Sequence, residues 1–283
     1  MPEKPTTAAG YPPEQVARVK ATCLYLATKL GDLMPELVVV GGLVPSLLID
    51  QERLPLHVTP YVGTMDLDLA LAFALVGEQR YQEVAERLRR AGFAPDKNEA
   101  GQLTRQRWRI SDPPVAVDFL IEPEENAEAQ AGRLFPLTQD WAAIIAPGLH
   151  LAFRNNQIVA LSGRTIVGET VELGRDMRVC GAGAFVVLKA LAFHIRGENK
   201  DAYDLFYVLR NYGRGVADVA ADLRPLLTDS TAMRAMEYLR MDFQDSHSIG
   251  PWRVSQFLYG RPDAATQADA VGFVRQLLDE CEL

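Results

Sequence analysis

Residues 64–73 read Thr-Met-Asp-Leu-Asp-Leu-Ala-Leu-Ala-Phe, an alternation that a helix could not use and a strand can. In an extended chain successive side chains point to opposite faces. Met65, Leu67, Leu69, Leu71 and Phe73 therefore share one face, and Asp66, Asp68, Ala70 and Ala72 the other. The first is a core face. The second sets two like charges among small side chains, where they repel unless a cation or a basic partner stands between them. A strand end in water would tolerate that repulsion; a packed strand gains nothing from it. Mg2+ is a hard cation that prefers oxygen ligands and nucleotide phosphates, so Asp66 and Asp68 form a candidate metal platform.

Upstream, Leu37 to Val40 reads as a short buried strand running into Gly41-Gly42, with a helix expected from Leu43 to Ile49. Backbone N–H groups at such a turn can hold phosphate oxygens. Gly41 and Gly42 by themselves mark a tight turn more often than a ligand site, and their position between strand and helix is what makes them candidates. Ser46, one turn into that helix, offers a hydroxyl to the same site or to solvent.

Helical spacing of Val16, Val19, Cys23, Leu26 and Leu30 predicts a helix over 13–33, and a second is expected from Gln79 to Ala91, ended by Gly92. Two strands, Leu103–Ile110 and Val115–Ile121, flank Ser111-Asp112-Pro113-Pro114, a strong turn signal. Residues 122–130 read as an acidic loop, and 140–180 as short strands and turns. From Ala184 the pattern turns helical: 185–196, 201–212, 217–227, 230–240 and 268–278. The expected fold class is α+β, a mixed sheet with helices followed by a mainly helical region. The expected domains are residues 1–181 and 182–283, divided near Gly181-Ala182-Gly183.

Asp118 is a lone acid in an apolar strand, and it would complete a set of three carboxylates if that strand lay beside the Asp66/Asp68 strand. Arg105, Arg107 and Arg109 share one strand face with Trp108 opposite. They read either as a basic strip for phosphates or as the charged outer face of an edge strand. Lys189 follows Phe185-Val186-Val187-Leu188, where an unpaired buried ammonium would be costly. Arg196 lies two turns further along the same helix face. Asp201 and Asp204, beyond the turn Gly197-Glu198-Asn199, are available to pair with Lys189.

A net charge of −8 excludes a generally basic nucleic-acid coat, while a local basic strip would still serve RNA. The three cysteines, Cys23, Cys180 and Cys281, have no metal-ligand spacing and read as reduced thiols of a cytoplasmic protein. His57, His150, His194 and His247 are scattered and receive no role. The longest apolar run, 182–195, is too short to span a bilayer and contains Lys189 and His194, so no membrane association is expected.

Gly41-Gly42, Asp66-Leu67-Asp68 and Asp118 together resemble the pattern of the nucleotidyltransferase superfamily related to DNA polymerase β. There a Gly-Gly or Gly-Ser opens a helix, an Asp-x-Asp follows on the next strand and a third acid comes later. Within it the chain is similar to the AbiEii/AbiGii-type toxin family of abortive-infection and type IV toxin–antitoxin systems. Lys189-Ala190-Leu191-Ala192, Arg196 and Lys200-Asp201-Ala202-Tyr203-Asp204-Leu205 match that family's helical lysine, arginine and basic-Asp-x-Tyr-Asp-Leu stretch. The resemblance covers residues 38–209. It departs from the family at Val62, where relatives often carry an arginine four residues before the first motif aspartate; Thr64 is retained.

The resemblance implies a Mg2+-dependent nucleotidyltransferase that moves NMP from an NTP to an acceptor hydroxyl and releases pyrophosphate. Asp66, Asp68 and Asp118 would hold metal. Gly41, Gly42, Ser46, Thr64, Lys189 and Arg196 would bind nucleotide, and Asp204 would act as base or as the lysine's partner. Toxin relatives modify RNA, especially tRNA 3′ ends, so RNA is the implied acceptor and a cognate antitoxin the implied partner. Two alternatives stay open: nucleotidylation of a small molecule or protein, and a non-catalytic binding module that retains the fold.

Overall fold

The computed structural model describes residues 5–56, 58–72, 78–98, 100–110, 115–123, 127–164 and 172–283. His57, Phe73, the turn at 111–114 and residues 124–126 of the acidic segment lie outside them. In chain order the elements are α1 (Pro13–Leu30), β1 (Leu37–Val40), α2 (Val44–Leu48), β2 (Asp66–Leu71), α3 (Glu78–Arg90), β3 (Phe93–Lys97), β4 (Leu103–Ile110) and β5 (Val115–Ile121). They continue with β6 (Leu134–Pro136), β7 (Ala142–Ile145), α4 (Leu149–Arg154), β8 (Asn156–Arg164) and β9 (Glu172–Cys180). Six helices follow: α5 (Ala182–Arg196), α6 (Asn199–Asn211), α7 (Val216–Leu223), α8 (Ser230–Asp242), α9 (Ile249–Tyr259) and α10 (Ala264–Glu280). The fold is α+β, a mixed sheet with helices and then a helical region. Among the described residues no helix is long and apolar enough to cross a membrane.

The described residues gather into two compact units. One comprises Pro13–Val44 and Gly63–Cys180 and holds the whole sheet, with strand order β3-β4-β5-β2-β1-β9-β8 and with β7 beside β5 and β6 beside β7. β1 pairs antiparallel with β2 and parallel with β9, while β2 pairs parallel with β5. β1 and β2 thus lie mid-sheet. Leu-Val-Val-Val is buried at every position, as a central strand covered on both faces requires. α1 packs on α3 and on β2, β5, β8 and β9 through Val19, Cys23, Leu26 and Leu30. Trp108 points away from the arginines of β4 and meets Trp141, which in turn meets Phe119 edge-on at 5.0 Å. Such an aromatic contact adds roughly 0.5–1.5 kcal/mol beyond area burial.

The other unit comprises residues 5–12, Pro45–Val62 and Gly181–Leu283. Its central helix, α5, is apolar almost all round and packs on α6, α7 and α8, which is how such a helix leaves water.

Several local expectations are corrected. The first helix stops at Leu30, where Gly31 takes φ +55° and a 3-10 stretch, Gly31–Glu36, takes over. The helix expected from Leu43 is a 3-10 turn, Gly41–Leu43, followed by the five residues of α2. β3 escapes notice in the sequence because Pro95 and Asp96 are poor strand residues; it lies at the sheet margin, and its register shifts between Pro95 and Lys97. Residues 140–180 contain the helix α4 and two nine-residue strands, β8 and β9, paired along their whole length. Residues 249–259, for which no element was expected, form α9, with Pro251 tolerated in the helix's first turn.

Candidate metal centre

Three strands deliver the acidic cluster by register. Asp68 of β2 lies opposite Asp118 of β5, and Asp118 opposite Arg107 of β4. A straight row therefore runs Asp68–Asp118–Arg107 across the sheet, with Asp66 one pleat away on the same face of β2. Asp66 and Asp118 are 4% and 5% exposed, and Asp68 is half-buried. This overturns the alternative of a strand end facing water. One carboxylate oxygen from each aspartate lies within 4.8 Å of the others.

The Gly-Gly turn belongs to the same construction. Val40 pairs with Asp68, so the chain leaving β1 turns directly over that carboxylate. Gly41 has φ +69°, and a Cβ there would run into the Asp68 carboxylate. A Cβ on Gly42 would come within 2.7 Å of Thr64 Oγ1. Thr64, itself buried, donates its hydroxyl to Asp66 Oδ1 at 3.1 Å and so orients that carboxylate. Only a side-chain-free backbone fits this closely against Asp68 and Thr64.

The donor set suits a hard divalent cation. Hard cations such as Mg2+ and Ca2+ take carboxylate oxygens as ligands, and each of the three aspartates offers one. A cationic group already stands among the acids: Arg107 donates from Nε to Asp118 Oδ1 at 2.7 Å and from Nη2 to Asp66 Oδ2 at 3.1 Å, with a further hydrogen bond to Asp118 Oδ2. The hydrogen bond to Asp118, aided by the charges of Asp118, Asp66 and Asp68, raises the Arg107 pKa against the effect of burial.

The arginine strip is thus divided. Arg109 pairs with Asp96 at 3.0 Å, and Arg105 donates to the Thr138 carbonyl at 2.8 Å. β4 lies between β3 and β5, which overturns its reading as an edge strand. The part played by Arg107 could not be read from the strip, because spacing along one strand does not say which carboxylate stands opposite.

Ser46, Lys189, Arg196 and Asp204 all belong to the helical unit. Ser46 is buried, which removes the solvated reading of its hydroxyl. Lys189 Nζ lies 2.8 Å from Asp201 Oδ1 and 2.7 Å from Asp204 Oδ2. Arg196 grips Asp201 with Nε at 2.6 Å and Nη2 at 2.8 Å. Asp204, fully buried, also accepts from Tyr61 Oη at 2.6 Å and from Lys200. Lys200 in turn reaches Tyr61 Oη at 2.6 Å and lies 4.6 Å from the centre of that ring. Burial alone would lower the Lys189 pKa, but Asp201 and Asp204 outweigh it and hold the ammonium well above the ordinary lysine value. Burial likewise opposes ionisation of Asp201, but Lys189 and Arg196 prevail and pull its carboxyl well below the usual range. At Lys200 burial wins over Asp204 and pushes the pKa down to about 8. Lys200 was legible as a helix neighbour four residues from Asp204; Tyr61, in a loop far along the chain, carried no such signal.

No family model matches the chain, and no curated protein matches it in sequence. The chemistry is therefore to be sought in the side chains themselves.

Proposed function

We propose that this protein is a Mg2+-dependent nucleotidyltransferase of the polymerase-β-like kind, transferring NMP from an NTP to a hydroxyl, with RNA as the acceptor. The observation that carries the reading is the trio of buried Asp66 and Asp118 and half-buried Asp68, beneath the Gly41-Gly42 turn. In the reaction an acceptor oxygen bonds to the α-phosphorus, the α–β phosphoanhydride breaks, and pyrophosphate leaves with the bonding pair. Bound Mg2+ would acidify the attacking hydroxyl and neutralise charge on the departing pyrophosphate. The three carboxylates would hold it, and Thr64 would keep Asp66 turned towards it. Gly41 and Gly42 would let the triphosphate approach the backbone closely. Lys189 and Arg196 would support the nucleotide phosphates, as the resemblance to AbiEii-type toxins implies. Asp204, enclosed, accepting from Tyr61 and Lys200 and ion-paired with Lys189, fits the role of lysine partner better than that of base. A tRNA 3′ end as acceptor and an antitoxin as partner rest on that resemblance alone.

The test is transfer from each α-32P-labelled NTP to total RNA with Mg2+, comparing wild type with Asp68→Ala. Label on a discrete RNA band that disappears in the variant is the expected result. Undiminished transfer by Asp68→Ala would sink the mechanism, and label on protein or small molecules alone would move the acceptor away from RNA.

A further inference from the structure

Arg107 does more than neutralise a crowded site. Its Nη2 lies 3.1 Å from Asp66 Oδ2 and also donates to Asp118 Oδ2, so one N–H group bridges two of the three carboxylates. Nε secures the second oxygen of Asp118 at 2.7 Å, giving a fork-on-carboxylate pair of the strong, directional sort. The strand register makes this arrangement hard to avoid, because Arg107 and Asp118 are direct cross-strand partners. The guanidinium thus engages both oxygens of Asp118 and one of Asp66, two of the three carboxylates on which a bridging cation would draw. The arginine side chain is 14% exposed, so it is not sealed from water.

We infer that Arg107 is a built-in competitor of the metal ion, which seats itself on Asp66 and Asp118 and must release them before a divalent cation can bridge the three carboxylates. The inference rests on the proposed metal site and adds its regulation. Metal binding is thereby coupled to a change of partner for one arginine. A displaced guanidinium beside this site is best stabilised by an anion, so a cation arriving with nucleotide phosphates is favoured over a cation arriving alone. Without the ion, the arginine prevents the repulsion that three adjacent carboxylates would otherwise exert on the sheet.

Charge and geometry are separable by substitution. Arg107→Lys keeps the positive charge but loses the fork, whereas Arg107→Gln loses both. Mn2+ binding, followed by the EPR signal of the free ion, is measured for wild type and both variants, together with thermal unfolding with and without Mn2+. Arg107→Lys is expected to bind Mn2+ roughly tenfold more tightly than wild type, the scale of one charge-assisted hydrogen bond. It is also expected to unfold at lower temperature without metal and to recover on adding it. In the wild type, Mg2+ should accelerate solvent exchange of the Arg107 Nε–H, assigned in the NMR spectrum by through-bond correlation to the Arg107 backbone. This second reading needs no stable variant.

Equal affinities for wild type and Arg107→Lys, with a gain in Arg107→Gln alone, would reduce Arg107 to a background charge and overturn the competition. Weaker binding by both variants would overturn it too, making Arg107 a residue that positions the ligands. An Nε–H unmoved by saturating Mg2+ would be equally fatal. If Mn2+ binds none of the three proteins, the metal site itself fails and the inference with it, an outcome distinct from equal, measurable affinities.

Discussion

Gly41 joins a left-handed φ of +69° to a direct approach on the Asp68 carboxylate, so an added methyl group is penalised twice. Gly41→Ala should lose roughly 1–3 kcal/mol of stability, and Mg2+ affinity with it, because Asp68 must move. Gly92, at φ +87° with nothing within 4 Å of a built Cβ, is the control. Gly92→Ala should cost about 1–2 kcal/mol from backbone strain alone and leave metal binding untouched. Urea unfolding and isothermal titration with Mg2+ distinguish the two. Lys200 supplies a pH signature. Its folded pKa of about 8 lies below that of the unfolded chain, about 10.4. Between those values the unfolded state binds more protons, so this group's contribution to stability rises with pH. Cys23, raised to about 12 by burial, and Cys180, also raised by burial, act the other way, since the unfolded thiols ionise first. Lys189, held above its ordinary value, contributes fully throughout that window. The difference between wild type and Lys200→Met isolates the lysine and should shift in favour of wild type as pH rises from 8 to 10. A flat difference would mean that Lys200 stays protonated.

Among the elements, the segment Pro45–Val62 is the one whose attachment is least conventional. Gln51 Oε1 accepts from the Tyr61 N–H at 2.8 Å and from Tyr207 Oη at 2.9 Å, so one side chain ties the loop to itself and to α6. Tyr61 stacks on Tyr203 with ring centres 5.7 Å apart, and Tyr203 Oη accepts from the Val62 N–H at 3.3 Å. Gln51→Ala removes an acceptor that the Tyr61 N–H and the Tyr207 hydroxyl share, at a cost of about 1–3 kcal/mol. Its expected signature is faster amide exchange at Tyr61 and Val62, with the exchange of α5 unchanged. Uniformly faster exchange across the helical unit would show that the loop is not a separate local structure. The elements also show where sequence reading succeeds. β4, β5 and the core of β2 emerged from period-two patterns, and β1 from an unbroken apolar run, signals that each segment carries within itself. β3 and α9 did not, because Pro95 and Pro251 carry local signals against the structures that they join. Lys189 with Asp201 and Asp204 was legible because so short a turn leaves the two helices little freedom, and a buried ammonium must find an acidic or phosphate partner.

For the molecule as a whole, a net charge of −8 sits beside an acidic site, so any RNA contact has to be local and strongly salt-dependent. Composition and periodicity by themselves determined the α+β class, the acidic face of β2 and the need of Lys189 for an acidic or phosphate partner. These are short-range facts, set by side-chain alternation and by the cost of burying charge. Only the tertiary structure decided that β5 lies parallel beside β2, so that Asp118 meets Asp68, and that β4 lies beside β5, so that Arg107 enters the cluster. It alone brought the Gly41 turn over Asp68 and Tyr61 onto Asp204. Strand order and register are properties of the assembled sheet, chosen by the summed burial of many residues far apart in the chain. No single segment encodes its neighbour, and a one-residue slip would turn every acid of the site to the other face.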